Sequence, residues 1–266
     1  MKRAAAFLVD KRRIFLCLFL ALAAAPAAQA QVAVRADTSV FRARQLIAPT
    51  LLFGGGIAIH SFGHEAIDVP VNRWVQDWRG DRPQYRFDNY IQYVPTVMTL
   101  GLGLVGVPAQ RGFVDRVIET SLGYIALGTI SWTMKAVIDS PRPNGLDGRS
   151  FPSGHTDLVF FGAELVRLEY GWGWGAGAYA IATTVAVMRN YNNWHWLSDC
   201  VAGAGLGILT AQFGYWLLEP TKRLLGIRTG TWGDGRRHDA AGIQVAFAPT
   251  IDPLSGAICP SLAVRF

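Results

Sequence analysis

The sequence predicts an all-α protein: a bundle of about six helices, embedded in a membrane, with a short β-hairpin at its C-terminus. Hydrophobic residues make up 51% of the 266 residues and charged residues 17%, where soluble domains usually have about a quarter charged. The long apolar stretches are apolar on all sides, as helices in a bilayer or in a buried core require. Much of the net charge of +6 lies at the N-terminus, so no broad basic face and no nucleic-acid partner are expected.

Residues 1–30 have the pattern of an export signal. Basic residues up to Arg13 precede an apolar run, and small residues then end in an Ala-x-Ala cleavage pattern at Ala30. The alternative is an uncleaved first membrane helix, but the apolar run is short for a span. Export would leave Cys200 and Cys259 in an oxidising compartment. They can form one bridge, although two unpaired, partly buried thiols are the simpler expectation.

The rest of the chain divides into a polar lead-in at residues 31–45, a helical domain at residues 46–228 and a tail at residues 229–266. The tail holds two short alternating runs, which are typical of a β-hairpin. Six apolar segments are helix candidates: 46–60, 91–110, 117–137, 156–166, 171–188 and 200–218. The first is short for a span and contains three glycines. The segments 91–110, 171–188 and 200–218 are free of charge and match a hydrocarbon layer of about 30 Å.

The charges within this pattern restrict how the helices can be arranged. Glu119 and Glu164 fall inside apolar segments, so in a membrane they must face the bundle interior. Residues 68–89 are polar and aromatic and predict an extramembrane loop or a surface helix. Loop charges predict two ends of the bundle, with residues 140–155 and 189–195 at one end. The opposite end is expected to hold Arg111, Arg116, Arg167 and Lys222.

Three clusters concentrate polar and ionisable residues in an otherwise apolar half of the chain. They are Lys135 with Arg142-Pro143, then Pro152-Ser153-Gly154-His155, then Arg189 with His195 and Asp199. Each cluster alone is a weak signal, because such residues commonly begin helices, end helices or set membrane orientation. Their joint occurrence in this order is what indicates a site.

Together these groups have the chemistry of a phosphate site. Lys135, Arg142 and Arg189 supply three cations, and a guanidinium group matches a tetrahedral oxyanion. Ser153 and Gly154 stand directly before an apolar helical stretch, so backbone N–H groups at a helix N-terminus can point at an anion. Glycine at position 154 lets the backbone approach a phosphate closely.

Two histidines complete the predicted site. His195 and Asp199 are four residues apart, so the carboxylate can accept a hydrogen bond from one ring nitrogen and leave the other as a nucleophile. His155 is available as the general acid for the leaving group. Arg189 is six residues before His195, so residues 190–193 are expected to form a loop that turns both toward one site.

This joint pattern resembles the type 2 phosphatidic acid phosphatase (PAP2) superfamily. The family pattern is Lys, six residues, Arg-Pro; then Pro-Ser-Gly-His; then Ser-Arg, five residues, His, three residues, Asp. Residues 135–143, 152–155 and 189–199 match it. The one departure is Met188, where the family usually has Ser. The resemblance covers roughly residues 90–220.

The resemblance implies a PAP2-type helical fold and a role for each matching residue. His195 is then the nucleophile that forms a phosphohistidine, Asp199 orients it, and His155 protonates the leaving group. The residues that would bind the phosphoryl oxygens are Lys135, Arg142, Ser153, Gly154 and Arg189. The cations would take the part that Mg²⁺ has in other phosphoryl-transfer sites, so neither a metal nor a cofactor is expected.

The expected function is hydrolysis of a phosphomonoester or diphosphate group, with a lipid phosphate as substrate at the periplasmic face of the inner membrane. A soluble periplasmic acid phosphatase of broad specificity is the first alternative. A vanadate-dependent haloperoxidase ranks lower, because such chains are generally much longer. A catalytically silent lipid-binding or transport relative is disfavoured by the intact His155, His195 and Asp199. Head group, acyl-chain length and oligomeric state are left open.

Overall fold

The computed structural model describes residues 43–229, 244–251 and 258–265, with only the backbone described from residue 229 onward. The predicted export signal, most of the polar lead-in and the side chain of Cys259 lie outside the described residues. Helices α1 to α7 are Ile47–Ala58, Val69–Arg79, Asp88–Ile91, Val94–Gly101, Phe113–Val137, Gly154–Tyr191 and Leu197–Leu225. This part of the chain is the all-α bundle that the sequence predicts.

The first long helix is longer than the sequence predicts. A 3-10 turn leads into α1, and the π-helical residues Ile59–Asp68 join α1 to α2 without a break. Residues 46–60, predicted to be too short for a span, therefore belong to a continuous helix of 37 residues. The prediction was wrong because the glycines do not end the helix, and Gly56 serves helix packing: a Cβ on Gly56 would lie 2.4 Å from Ala202 N in α7.

Residues 91–110 do not form the single uncharged helix that the sequence predicts. Helix α4 has eight residues, the 3-10 turn Leu102–Val105 follows it, and Gly106 then turns the chain with a φ of 91°. Absence of charge does not ensure a helix where glycine and proline recur. The small residues bring α4 close to α6 instead, since a Cβ on Gly162 would lie 2.6 Å from Thr96 N.

Helix α6 joins two segments that the sequence predicts as separate helices, 156–166 and 171–188. It runs for 38 residues with a kink at Gly171, whose φ is 78° and whose ψ is −176°. A positive φ of this kind suits glycine, which has no Cβ. The helix also continues to Tyr191, so the loop expected at residues 190–193 begins later, at residue 192, and extends to residue 196.

Helices α5, α6 and α7 form the centre of the bundle. Phe161 and Leu165 of α6 are fully buried and pack with Leu127 of α5 and Leu206 of α7. Helix α1 packs on α7, and α4 packs on α6. Of the described helices, two are long and apolar enough to cross a membrane, namely the α1–α2 helix over Ala43–Arg79 and α7.

The acidic residues inside the apolar segments face the interior of the bundle. Glu119 and Glu164 are 0% and 1% exposed. Glu164 accepts a hydrogen bond from Arg167 at 2.6 Å and one from Gln212 at 2.9 Å, while Glu119 pairs with Arg111. Both carboxylates therefore face the bundle interior, as the sequence requires of them if the bundle lies in a membrane.

The basic residues predicted to lie away from the three clusters do lie at the far end of the bundle. Lys222 near the end of α7 pairs with Asp115 at the start of α5, at 3.1 Å. Arg116 precedes Lys135 by nineteen residues on α5, which is about 29 Å at the rise of an α-helix. The two ends are thus separated by about the thickness of a hydrocarbon layer.

The tail contains short strands in the described residues. Strand β1, Arg228–Thr229, pairs in parallel with β2, Gln244–Ile251, and β2 pairs antiparallel with β3, Ile258–Arg265. The residues that connect β2 to β3 and the side chains of both strands lie outside the described residues. The hairpin predicted for the tail therefore stays a prediction.

Candidate active site

The first element of the site is a buried histidine–carboxylate pair. His195 lies in the turn between α6 and α7, and Asp199 lies in the first turn of α7. His195 Nδ1 is 3.3 Å from Asp199 Oδ2. The same oxygen accepts the backbone N–H of Trp196 at 2.8 Å and the hydroxyl of Ser150. The carboxylate is thus held by three donors, and it holds the imidazole ring.

Arg142 determines which nitrogen of His195 carries the proton. Its Nη1 lies 3.1 Å from His195 Nε2, and a guanidinium group has only donors. Nε2 must therefore accept, so Nδ1 carries the proton that faces Asp199. Arg142 is itself held by Asp147 Oδ1 at 2.8 Å and by the carbonyl of Trp194 at 3.1 Å. The lone pair of Nε2 points toward a fixed cation.

The start of α6 forms a second side of the site. The backbone N–H of Ser153 donates to the carbonyl of Asp199 at 3.1 Å, which joins the start of α6 to the start of α7. Lys135 Nζ donates to the carbonyl of Pro152, and a Cβ on Gly154 would lie 4.0 Å from Lys135 Cε. The ammonium group therefore stands beside a helix N-terminus, where N–H groups and the helix dipole favour an anion.

The third side is built on α3, whose residues belong to none of the three sequence motifs. Arg189 Nη1 lies 2.8 Å from Oδ2 of Asp88 and 3.3 Å from Oδ1 of Asn89. Asn89 Oδ1 also lies 2.9 Å from His155 Nε2. Asp88 and Asn89 have no regular spacing to the three motifs. The one sequence signal for them is their position at the end of the polar residues 68–89, directly before the apolar segment 91–110.

Trp194 brings the two arginines of the site to one ring. The Cζ atom of Arg142 lies 5.8 Å from the ring centroid and that of Arg189 lies 5.5 Å from it. Both distances are within the range of cation–π attraction. The ring therefore lies beside both guanidinium groups, each of which also has a carboxylate partner, Asp147 for Arg142 and Asp88 for Arg189.

The turn that carries His195 is held by the polar stretch at residues 68–89. Asn72 of α2 donates to Asn193 Oδ1 at 2.8 Å. Asn192 donates to the carbonyl of Tyr85 at 2.7 Å and accepts its N–H at 3.1 Å. The predicted surface helix and loop are thus a support for the site. Sequence spacing could not show this, because the partners are more than a hundred residues apart.

The electrostatics of the site keep both histidines neutral when no anion is bound. Burial lowers the pKa of His195 to about 4, and the cations Arg189 and Arg142 act in the same direction against Asp199. Burial also lowers the pKa of His155 to about 3, with further contributions from Arg189, His195, Arg142 and Lys135. A site with this excess of positive charge favours an anion.

The structure brings all eight predicted site residues to one end of the bundle. They are Lys135, Arg142, Ser153, Gly154, His155, Arg189, His195 and Asp199. Among the described residues, no group of three or more histidine, cysteine, aspartate or glutamate side chains is arranged to hold a metal ion. Cys200, next to Asp199, is a buried free thiol.

The helical bundle carries, at one end, cations and a helix N-terminus with the chemistry of a phosphate site. The chain belongs to the PAP2 superfamily, whose family model matches residues 81–223. The resemblance seen in the three motifs is thereby confirmed, and the match also includes Asp88 and Asn89.

Several known proteins are similar to this chain. The lipid A 1-phosphatase of Porphyromonas gingivalis is 33% identical over 138 residues, which is 50% of this chain and 31% of that protein. The chain therefore spans about a third of the length of this curated relative. The crystal structure of Aquifex aeolicus LpxE has a TM-score of 0.46 and 21% identity, and covers 59% of this chain and 97% of its own. A transmembrane PAP2 type phosphatidylglycerolphosphate phosphatase from Bacillus subtilis has a TM-score of 0.39 and 17% identity, with 67% and 97% coverage.

Proposed function

We propose that this protein is a metal-independent phosphatase that removes phosphate from membrane lipids through a phosphohistidine intermediate on His195. The observation that carries the proposal is the fixed tautomer of His195. Its Nδ1 proton faces Asp199, and its Nε2 lone pair faces Arg142 at 3.1 Å. A neutral imidazole held in this way is a nucleophile beside a group that binds phosphoryl oxygens.

The first chemical step follows from the positions of these groups. Arg142 exchanges its hydrogen bond to His195 Nε2 for one to a phosphoryl oxygen, and Nε2 then forms a bond to phosphorus while the bond to the leaving oxygen breaks. The leaving oxygen keeps the electron pair and takes a proton from His155, which acquires this second proton when the negatively charged phosphate binds and raises the pKa of the ring. Arg142, Arg189 and Lys135 stabilise the negative charge that develops on the phosphoryl oxygens.

The second step returns the enzyme to its starting state. Water attacks the phosphohistidine and gives one proton to His155, which acts as the base in this direction. Inorganic phosphate leaves, and His195 regains the Nε2 lone pair. The arginine and lysine cations remain in place in both steps, so no metal ion is required.

The outer surface of the bundle supports a membrane location and therefore a lipid substrate. Large apolar side chains are exposed on several helices; Phe62 is 91% and Trp132 80% exposed. The carboxylates of Glu119 and Glu164, by contrast, are buried and paired. Apolar groups outside and charges inside suit a protein surrounded by lipid. The name of the Porphyromonas relative, a lipid A 1-phosphatase, points to a glycolipid phosphate as one substrate class.

We also propose that the site faces the periplasm. The export pattern at residues 1–30 supports this orientation, as does the position of Arg111, Arg116, Arg167 and Lys222 at the other end of the bundle. Basic residues are enriched on the cytoplasmic side of membrane proteins. The phosphate groups of lipids in the outer leaflet would then be directly accessible.

Phosphate release and trapping of the intermediate test the proposal. The full-length protein in detergent should release phosphate from lipid phosphates in the presence of a chelator. The reaction with a radiolabelled substrate, quenched rapidly and without acid, should leave an acid-labile phosphoryl group on His195. His195→Ala should abolish both signals, whereas Asp199→Asn should lower turnover less completely, because it misorients the ring without removing it.

A histidine outside the family match supplies the control. His238→Ala should leave phosphate release and the labelled intermediate unchanged. A wild-type protein without phosphatase activity on any lipid or soluble phosphate would disprove the proposal. Substantial activity in His195→Ala would show that another residue is the nucleophile.

A further inference from the structure

Asn89 joins the two residues that the proposed reaction uses for proton transfer and for phosphate binding. Its Oδ1 lies 2.9 Å from His155 Nε2 and 3.3 Å from Arg189 Nη1. The neighbouring Asp88 is buried and holds Arg189 at 2.8 Å. Arg189 therefore has a carboxylate partner of its own. Within the described residues, the His155 side chain makes one hydrogen bond, and its partner is Asn89.

The hydrogen bonds determine where the proton of His155 lies. Arginine only donates, so the Asn89 atom that contacts Arg189 is the amide oxygen. Two donors then share this acceptor, and His155 Nε2 must carry a hydrogen. The other ring nitrogen, Nδ1, is left to exchange a proton with a bound phosphate ester.

We propose that Asn89 is a positioning residue for the general acid, holding His155 by Nε2 so that Nδ1 delivers the proton to the leaving oxygen. This proposal rests on the phosphatase function proposed above. As His195 Nε2 bonds to phosphorus, the leaving oxygen keeps the electrons of the broken bond and takes the Nδ1 proton. His155 is then neutral with its remaining proton on Nε2, so its bond to Asn89 persists through the step.

The surroundings of His155 explain why such a partner matters. The charged or titratable groups that act on it come from four places: Lys135 of α5, Arg142 of the loop before α6, Arg189 of α6 and His195 of the following turn. All of them oppose a positive charge on the ring. The negative end of the Asn89 amide dipole favours that charge, and it also prevents the ring from turning.

The leaving group is the sharpest test, because a good leaving group needs no general acid. The assays use p-nitrophenyl phosphate, whose phenolate leaves readily, and dioleoyl phosphatidate, whose alkoxide does not. Asn89→Ala should lower kcat/KM on phosphatidate by about 10- to 100-fold, part of the 10²–10⁴ that general-acid catalysis supplies. On p-nitrophenyl phosphate kcat/KM, which reports formation of the phosphohistidine and not its hydrolysis, should fall less than about threefold on the same grounds.

A matched asparagine separates this role from general support of the site. Asn72 binds Asn193 Oδ1 at 2.8 Å and its hydrogen bond does not involve His155. Asn72→Ala should therefore slow both substrates by the same factor. If Asn89→Ala also slows both equally, or slows neither, Asn89 does not position the acid.

Asn89→Asp provides a second measurement that also applies if the alanine variant fails to fold. A carboxylate keeps the acceptor and adds a negative charge, so the alkaline limb of the kcat–pH profile should move up by about one pH unit. An unmoved limb would overturn the proposal. A wild-type protein inactive on both substrates would instead refute the phosphatase function itself.

Discussion

Asp68 accepts two hydrogen bonds from Ser198, one from the backbone N–H at 2.8 Å and one from the hydroxyl at 2.6 Å. The carboxylate is fully buried at the end of the π-helical stretch, and it also lies 3.2 Å from His64 Nδ1. Ser198 immediately precedes Asp199. The first long helix therefore fixes the start of α7, and with it the carboxylate that orients His195.

We expect Asp68→Asn to destabilise the protein by about 1–3 kcal/mol. The amide has only one acceptor oxygen and no negative charge, so it cannot replace both hydrogen bonds that the carboxylate accepts from Ser198. The start of α7 should also shift enough to lower phosphatase activity. Thermal unfolding in detergent and phosphate release measure the two effects. Asp77→Asn, on an exposed position of α2, is the control and should change neither. Equal stability of the two variants would show that the Asp68–Ser198 contact is not important.

The glycines of α1 offer a matched pair for the contact between α1 and α7. A Cβ on Gly56 would lie 2.4 Å from Ala202 N, whereas a Cβ on Gly54 meets no atom within 4 Å. Gly56→Ala should destabilise the protein by about 1–3 kcal/mol through overpacking. Gly54→Ala should be neutral or stabilise it by up to about 1 kcal/mol through helix propensity. Thermal unfolding of both variants in the same detergent checks this, and destabilisation by both would contradict it.

Anion binding should take up a proton. Burial lowers the pKa of His155 to about 3, and Arg189, His195, Arg142 and Lys135 add to the effect. His155 is therefore neutral from pH 5 to 8. A bound dianion offsets these cations and raises the pKa, so binding should weaken as the pH rises. Sulfate, which does not titrate in this range, should have a Kd about tenfold lower at pH 5 than at pH 8.

Calorimetry in two buffers with different ionisation enthalpies measures this proton uptake directly. The His155→Gln variant should bind sulfate with less pH dependence and take up less than one proton, since the titrating group is gone. A wild-type Kd that does not change between pH 5 and 8 would contradict the prediction.

The orientation of the bundle can be tested with single cysteines at its two ends. Leu146, in the loop before α6, and Leu224, at the end of α7, are 65% and 84% exposed. In a background without Cys259, Leu146→Cys should react with a membrane-impermeant reagent in intact spheroplasts. Leu224→Cys should react only after lysis, which also confirms that the residue is accessible. Reaction of Leu224→Cys alone, or of both, before lysis would refute a periplasmic site.

The sequence by itself was sufficient for the helical class and the PAP2 family, and it proposed eight site residues that the structure brings to one end of the bundle. Each of these eight residues lies in one of three short motifs. The spacing within a motif can be recognised in the sequence without any knowledge of the fold. Helix boundaries were less predictable. The glycines in residues 46–60 suggested an interruption, yet Gly56 is where α1 contacts α7. The uncharged residues 91–110 suggested one helix, yet glycines and prolines divide them.

The tertiary structure decided what supports the motifs and how their protons are placed. Arg142 assigns the tautomer of His195, Asn89 assigns that of His155, and Asp68 fixes the start of α7. The partners in these contacts are 53, 66 and 130 residues apart in the chain. Local propensity and motif spacing describe neighbours in sequence, whereas these hydrogen bonds form only after helices far apart in the chain have packed together. The physical reason is that a buried polar group must find its partner wherever the fold places one.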